Sequence, residues 1–344
     1  MFDFTDSPCF IVAELSANHG HQLETAKRTI RAAKEAGADA IKIQTYTPDT
    51  LTIACSNRHF QINTGTLWDG KTLHELYQTA FTPWEWTGEL QAVAEEQGLV
   101  FFSTPFDRTA VDFLEQHNVP VYKIASFEVP DIPLIEYVAS KGKPMLLSTG
   151  IATLEEIEDA VDACRRMGND QITLLKCTSE YPARIEDANL NTMVDMATRF
   201  GVSVGLSDHT MGHTVAVAAA ALGARVIEKH FILDRAVGGP DATFSMTPEE
   251  FATMVKAVRD TEKTLGRVDY EMTDSKLKSR IFARSLFVVE AVKKGETFTR
   301  DNLRSIRPGH GMAPKHYAEV LGRKAACEIE RGTPLSWDLI EKQV

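Results

Sequence analysis

The chain has 344 residues, 43% of them hydrophobic and 25% charged, with a formal net charge of −11. That length suits one large domain plus a small second one, and the apolar fraction is ordinary for a globular protein. The acidic balance leaves no basic surface in excess, which argues against a nucleic-acid or anionic-membrane partner but allows a local basic pocket for a small anion. Five cysteines with no C-x-x-C pair fit a reduced cytoplasmic setting better than a disulfide framework. Residues 1–7 carry acidic side chains rather than a basic run before an apolar core, so no secretory signal is expected. No apolar run approaches the roughly 20 residues of a membrane span.

In chain order, short β-rich runs fall at 10–14, 40–44, 100–103, 121–125, 144–148, 172–177, 202–207 and 225–230. Helical periodicity fills most of the intervals. Residues 25–36 read as a helix that stops at Gly37. Residues 154–167 follow Thr153 as cap, with Glu156 three positions on in a capping-box pattern. Thr82-Pro83-Trp84-Glu85 and Thr247-Pro248-Glu249-Glu250 each read as an N-cap, a proline at the first helical position and an acidic first turn. Residues 46–81 are too long for a plain loop; they hold Trp68 and Tyr77 and are expected to fold over one end of the domain.

Strands alternating with helices in this number match a (β/α)8 TIM barrel over residues 1–266. An open doubly wound sheet lacks support, because no G-x-G-x-x-G follows any strand. Residues 267–283 are charged and without strong apolar period, and read as a linker. From 284 to 344, strand-like runs at 285–289 and 325–329 mix with turns, giving a compact C-terminal domain small enough to need docking on the barrel or on another subunit.

The strand ends are polar, and in a barrel they converge on the face where active sites sit. Lys42, Lys123 and Lys229 supply positive charge, and Thr104, Ser126, Ser148 and Ser207 supply hydroxyls. That set suits a phosphate, whose oxygens need several short hydrogen bonds and charge compensation. His209, just past the seventh run, and His230, at the end of the eighth, stand at equivalent strand positions. Neighbouring strands lie about 5 Å apart, so the two imidazoles can meet at one ion with bonds near 2 Å. His213 seems to share no face with His209 and is expected to be structural, and His19 is a weaker candidate for the mouth. Glu14 either handles a proton or pairs with Lys42. A metal beside a phosphate pocket leaves several reactions open, Schiff-base aldol chemistry through a lysine and phosphate-ester hydrolysis among them.

The chain resembles the sialic acid synthase family over nearly its full length. The matching pieces are Ile11-Val12-Ala13-Glu14 with Asn18-His19, Lys42-Ile43-Gln44-Thr45, Ser103-Thr104-Pro105-Phe106 and Lys123-Ile124-Ala125-Ser126. They continue with Leu206-Ser207-Asp208-His209-Thr210, Glu228-Lys229-His230-Phe231 and Gly239-Pro240-Asp241. Ala283-Arg284-Ser285-Leu286 and Arg307-Pro308-Gly309 resemble its antifreeze-like (SAF) domain. Gly65-Thr66-Leu67-Trp68, Leu73-His74-Glu75-Leu76-Tyr77 and Thr82-Pro83-Trp84-Glu85-Trp86 look most like the pseudaminic acid synthase branch. Ser179 stands before Tyr181-Pro182 where members that make sialic acid itself tend to carry Asn.

The resemblance implies condensation of phosphoenolpyruvate with an open-chain aldose, for this branch 2,4-diacetamido-2,4,6-trideoxy-altrose. The N-acetylneuraminate and legionaminate synthases are alternatives with the same chemistry. Lys42, Thr104, Lys123, Ser126, Ser148 and Ser207 would hold phosphoenolpyruvate. His209 and His230 would hold a divalent metal, manganese or magnesium. Glu14 would move a proton or activate water. Gln44, Glu128, Tyr181 and Asp241 would face the sugar or metal-bound water. Arg307 would reach the barrel of a partner in a domain-swapped homodimer. A non-enzyme reading makes the C-terminal domain an ice- or glycan-binding module on an inactive barrel.

Overall fold

The computed structural model describes residues 8–63, 65 and 68–342. Residues 1–7, read above for a signal, lie outside the described residues, as do Thr66 and Leu67 of the stretch matched to the pseudaminic branch. Eight strands run in order: β1 Phe10–Glu14, β2 Ala40–Thr45, β3 Val100–Pro105, β4 Tyr122–Ile124, β5 Met145–Ser148, β6 Ile172–Cys177, β7 Ser203–Asp208 and β8 Val226–His230. Each pairs in parallel with its neighbour, and β8 returns to β1 with His230 opposite Glu14, so the sheet is a closed barrel. The TIM barrel expected from the alternation is the fold, with strand ends within one or two residues of expectation.

Successive side chains on a strand point to opposite faces. In β8, Val226, Glu228 and His230 therefore face the barrel axis, and Ile227 and Lys229 face the helices. The same parity puts Val12 and Glu14, Ala40 and Lys42, and Phe102 and Thr104 inside. Val12, Ala40, Phe102, Val121, Leu146, Leu175 and Val226 form one apolar plug across the interior. The polar strand-end residues stand one layer above it, at the C-terminal mouth. A larger apolar cluster fills the space between strands and helices. The helix Leu23–Glu35 contributes Ala26, Thr29, Ile30 and Ala33, the spacing of one helical face.

The capping box at Thr153 and the N-cap at Thr247, each indicated by the sequence, open the helices Leu154–Arg166 and Pro248–Leu265. Thr82 does not cap a helix. A 3-10 turn at Trp84–Trp86 precedes the helix Thr87–Glu96, and the Thr82 hydroxyl is used instead in a bond to His19 Nε2 at 3.2 Å. The segment 46–81 holds the helices Pro48–Leu51 and Leu73–Ala80 and lies on the mouth. Its Trp68 indole donates to the Pro240 carbonyl at 3.3 Å and packs on Tyr181, ring centroids 5.7 Å apart.

The chain divides into two compact units, 1–266 and 267–344. In the second, part of the stretch read as linker is the helix Asp274–Ser279. An antiparallel pair, β9 Ser285–Val288 with β10 Leu303–Ile306, heads a small core around Leu286, Phe298, Leu303 and Leu335. Residues 325–329, expected as strand, make only single bridges, through Ala325 and Ile329. β10 escaped notice because its charged Arg304 and short length hide the alternation. Among the described residues no helix is long and apolar enough to cross a membrane.

Gly205 stands inside β7 because β7 and β8 approach there without room for a side chain. A Cβ would sit 2.3 Å from the Val226 carbonyl oxygen and 2.8 Å from Leu175 Cδ2. Gly205→Ala is expected to cost about 1–3 kcal/mol or more through overpacking, read by chemical denaturation. An unchanged midpoint would contradict that reading.

Candidate active site

The inward residues of β1, β2, β3, β4, β7 and β8 form one buried polar network. Lys42 Nζ lies 2.9 Å from Glu14 Oε2 and 3.3 Å from Glu228 Oε1, and it donates to Thr104 Oγ1 at 3.2 Å. Lys123 Nζ reaches the same Glu228 oxygen at 3.3 Å, and the Ser207 hydroxyl donates to it at 3.3 Å. All these side chains are essentially buried. A charge taken out of water is costly, so each persists only by facing an opposite charge. Burial by itself would raise the Glu228 carboxyl, but Lys123 and Lys42 hold it down at about 2. Burial opposes the Lys42 ammonium, yet Glu14 and Glu228 carry it above its ordinary value. Lys123 goes down because burial outweighs its carboxylate partner. Burial also pushes the Glu14 carboxyl up against the pull of Lys42.

Lys229 does not belong to this set. Its parity turns it outward, where Nζ pairs with Asp208 Oδ2 at 2.6 Å and donates to the Thr210 carbonyl at 2.5 Å. Its placement beside a histidine at the strand end suggested a phosphate ligand, but alternation makes it a strut between β7 and β8. Its inward neighbour Glu228 is the functional residue the sequence reading missed, and the same alternation was the signal that could have found it.

Gln44 Nε2 donates to Glu14 Oε1 and to Ser16 Oγ, each at 3.0 Å. Ser16 Oγ donates to Asp241 Oδ2 at 2.5 Å, and the Ala17 N–H donates to the same oxygen at 3.3 Å. Asp241 therefore joins the network, 4.0 Å from His230 Nδ1. Near β4 and β5, Ser126 Oγ accepts from the Ile151 N–H and from Ser179 Oγ, both at 2.9 Å. Gly150 leaves space there that a Cβ would take from Ser179 and Ser126. Ser148 Oγ is buried with no hydrogen-bond partner, as is Glu128 Oε2. Burial lifts the Glu128 carboxyl to about 7.

His209 and His230 meet with ring centroids 5.3 Å apart. Tyr181 packs 4.4 Å from the His209 ring and Phe244 5.0 Å from the His230 ring. His209 Nδ1 lies 2.9 Å from the Thr178 carbonyl, which can only accept, so Nδ1 carries a proton, and in the neutral ring Nε2 is the nitrogen left to bind a metal. His230 Nδ1 is buried without a hydrogen-bond partner. Burial, then the positive charges around it, hold His230 well below its usual range, in the neutral form that binds metals. Among the described residues no group of three His, Cys, Asp or Glu is arranged to hold an ion. The two imidazoles are the residues that could hold a metal, its remaining positions then filled by substrate or water.

The two other histidines stand apart. His19 is buried, its Nδ1 accepts from the His21 N–H at 3.1 Å, and it packs on Trp86, so it anchors the loop after β1. His213 occupies the N-cap position of the helix Thr214–Ala221 and makes no cap bond. Arg307 is exposed on the loop after β10, in the second unit. That loop depends on close backbone approach: a Cβ on Gly309 would lie 2.4 Å from the Arg280 carbonyl oxygen.

Residues 29–270 match the NeuB family, and residues 283–341 match the SAF domain. The chain belongs to the NeuB family. It is an enzyme of the transferase class, a synthase as the resemblance in its motifs implied, and the reading as an inactive barrel falls away. A pseudaminic acid synthase from Helicobacter pylori is 49% identical over 338 residues, 98% of this chain and 99% of its own. An N,N'-diacetyllegionaminic acid synthase from Legionella pneumophila is 38% identical over 339 residues, 97% and 95% of the two chains. The crystal structure of a NeuB-like relative, N-acetylneuraminic acid synthetase from Leptospira borgpetersenii, superposes with a TM-score of 0.70 at 33% identity, covering 79% of this chain and 90% of that one.

Breaking the outward pair separates strut from site. Lys229→Met leaves Asp208 buried without its cation and is expected to cost about 3–5 kcal/mol of stability, measured by chemical denaturation. An unchanged midpoint would show that the pair is not a strut.

Proposed function

We propose that this NeuB-family enzyme is a pseudaminic acid synthase, which condenses phosphoenolpyruvate with open-chain 2,4-diacetamido-2,4,6-trideoxy-altrose and releases phosphate. The carrying observation is that two buried inward lysines and two metal-competent histidines share one mouth. The 49% identity to the Helicobacter pylori relative, against 38% to the legionaminic acid synthase, supports the pseudaminic substrate over that alternative.

In the balanced reaction, C3 of phosphoenolpyruvate attacks the aldehyde carbon, whose oxygen gains a proton. Water adds at C2, and the C2–O bond then breaks to free phosphate and leave a 2-keto acid. Lys42 and Lys123 face the phosphate and carboxylate charges, with Thr104, Ser126, Ser148 and Ser207 as hydroxyl donors. The unpartnered Ser148 hydroxyl has a bond to give. Glu14, raised by burial and held by Lys42 and Gln44, is placed to hold or move a proton, toward water or the sugar. Gln44, Glu128, Tyr181 and Asp241 line the sugar side. A divalent metal on His209 and His230, manganese or magnesium, would supply Lewis-acid polarisation of the aldehyde. Arg307 of a second copy completes the site in a domain-swapped homodimer.

Schiff-base chemistry has one foothold, Lys123, whose ammonium is weakened by burial. Lys42 is held protonated by two carboxylates and is no nucleophile.

The test is phosphate release from phosphoenolpyruvate, expected only with both the diacetamido altrose and added metal. His209→Ala and His230→Ala are each expected to abolish turnover while the circular dichroism spectrum stays that of a folded barrel. Release of phosphate in chelator, or borohydride trapping of a substrate on Lys123, would overturn the proposal.

A further inference from the structure

Ser16 has a backbone unsuited to its residue type. Its φ is +45°, in the left-handed region where a Cβ crowds the following carbonyl and glycine is the favoured residue. It is also buried. Such strain persists when the surroundings over-determine it, and it gathers at functional sites.

What glycine could not supply there is the hydroxyl. Ser16 Oγ donates to Asp241 Oδ2 at 2.5 Å and accepts from Gln44 Nε2 at 3.0 Å. The same Gln44 amide nitrogen donates to Glu14 Oε1 at 3.0 Å. The same Asp241 oxygen stands 4.0 Å from His230 Nδ1, an atom with no hydrogen-bond partner. One hydroxyl, acting as donor and acceptor at once, thus joins the Glu14–Gln44 pair to the carboxylate beside the histidines. The loop that carries Asp241 has a second tether on its far side: the Asn18 amide donates to Ser245 Oγ at 2.8 Å, and that hydroxyl donates to the Asp241 carbonyl at 2.6 Å. That tether holds the backbone of Asp241 and leaves its carboxylate to Ser16 and Ala17.

We propose that Ser16 is a positioning residue for the sugar side of the site, its hydroxyl fixing the Asp241 carboxylate between Gln44 and His230. The kinetic consequence rests on the condensation proposed above; the structural consequence does not.

The experiment compares Ser16→Gly with Ser16→Ala. Both remove the hydroxyl, but only glycine suits the backbone, so their stabilities should part while their activities fall together. Ser16→Gly is expected to keep or raise the thermal midpoint, and Ser16→Ala is not. Losing a hydrogen bond to a charged group is expected to raise KM for the aldose about tenfold or more, with KM for phosphoenolpyruvate little changed. A crystal structure of Ser16→Gly, which needs no substrate, is expected to show the Asp241 carboxylate turned away from Gln44. Asp241 unmoved in that structure overturns the proposal, as does a wild-type KM for the aldose in Ser16→Gly. If wild-type enzyme released no phosphate, the reaction would be wrong and the crystal structure would still decide the role of Ser16.

Discussion

Closure of the parallel sheet forces every second side chain into one narrow interior, and the site follows from what this sequence puts there. Above the apolar plug stand Glu14, Lys42, Lys123 and Glu228, paired at 2.9–3.3 Å. All four are buried, so these charges are held by one another rather than by solvent. The arrangement contributes little net stability, because desolvation consumes much of the attraction. On the proposed reading its value lies in preorganisation: ammonium groups are fixed before an anion arrives, in surroundings where their charge is weakly screened.

The remaining site is built outward from that cluster along hydrogen bonds. Gln44 links Glu14 to Ser16, and Ser16 links Gln44 to Asp241 beside His230. The Thr178 carbonyl sets the tautomer of His209. The aromatic rings of Tyr181 and Phe244 close one side of the histidine pair, and Trp68 from the long segment after β2 closes over Tyr181. On the proposed reading, charge recognition is carried by rigid strands. On the same reading the sugar side is carried by loops, which vary more readily between enzymes of one fold.

This division also explains what the sequence disclosed. The barrel was legible because β-rich runs and helical periods alternate, and Glu14, Lys42, Thr104, His209 and His230 were legible because they are polar residues in or beside the C-terminal halves of strands. Lys229 misled because position along a strand was weighed without alternation, which also hid Glu228. Thr82 resembled a cap, since a Ser/Thr-Pro-x-Glu pattern describes only local preference; burial beside His19 claimed its hydroxyl. Ser16 and Ser179 lie past the strand ends, where loop conformation decides direction and no period exists. The Thr178 carbonyl is backbone and leaves no trace in residue type. In the second unit, bridges at Ala325 and Ile329 replaced an expected strand because that small core is built from turns around scattered apolar residues.

The inward lysines, and not the outward one, are proposed to receive an anionic substrate. Calorimetric titration of phosphoenolpyruvate, without aldose, into wild-type protein, Lys123→Met and Lys229→Met tests it directly. The expected result is binding weakened about tenfold or more by Lys123→Met, the loss of one charge-assisted contact, and unchanged in whatever fraction of Lys229→Met folds. Equal weakening by both substitutions, or none by Lys123→Met, would contradict it.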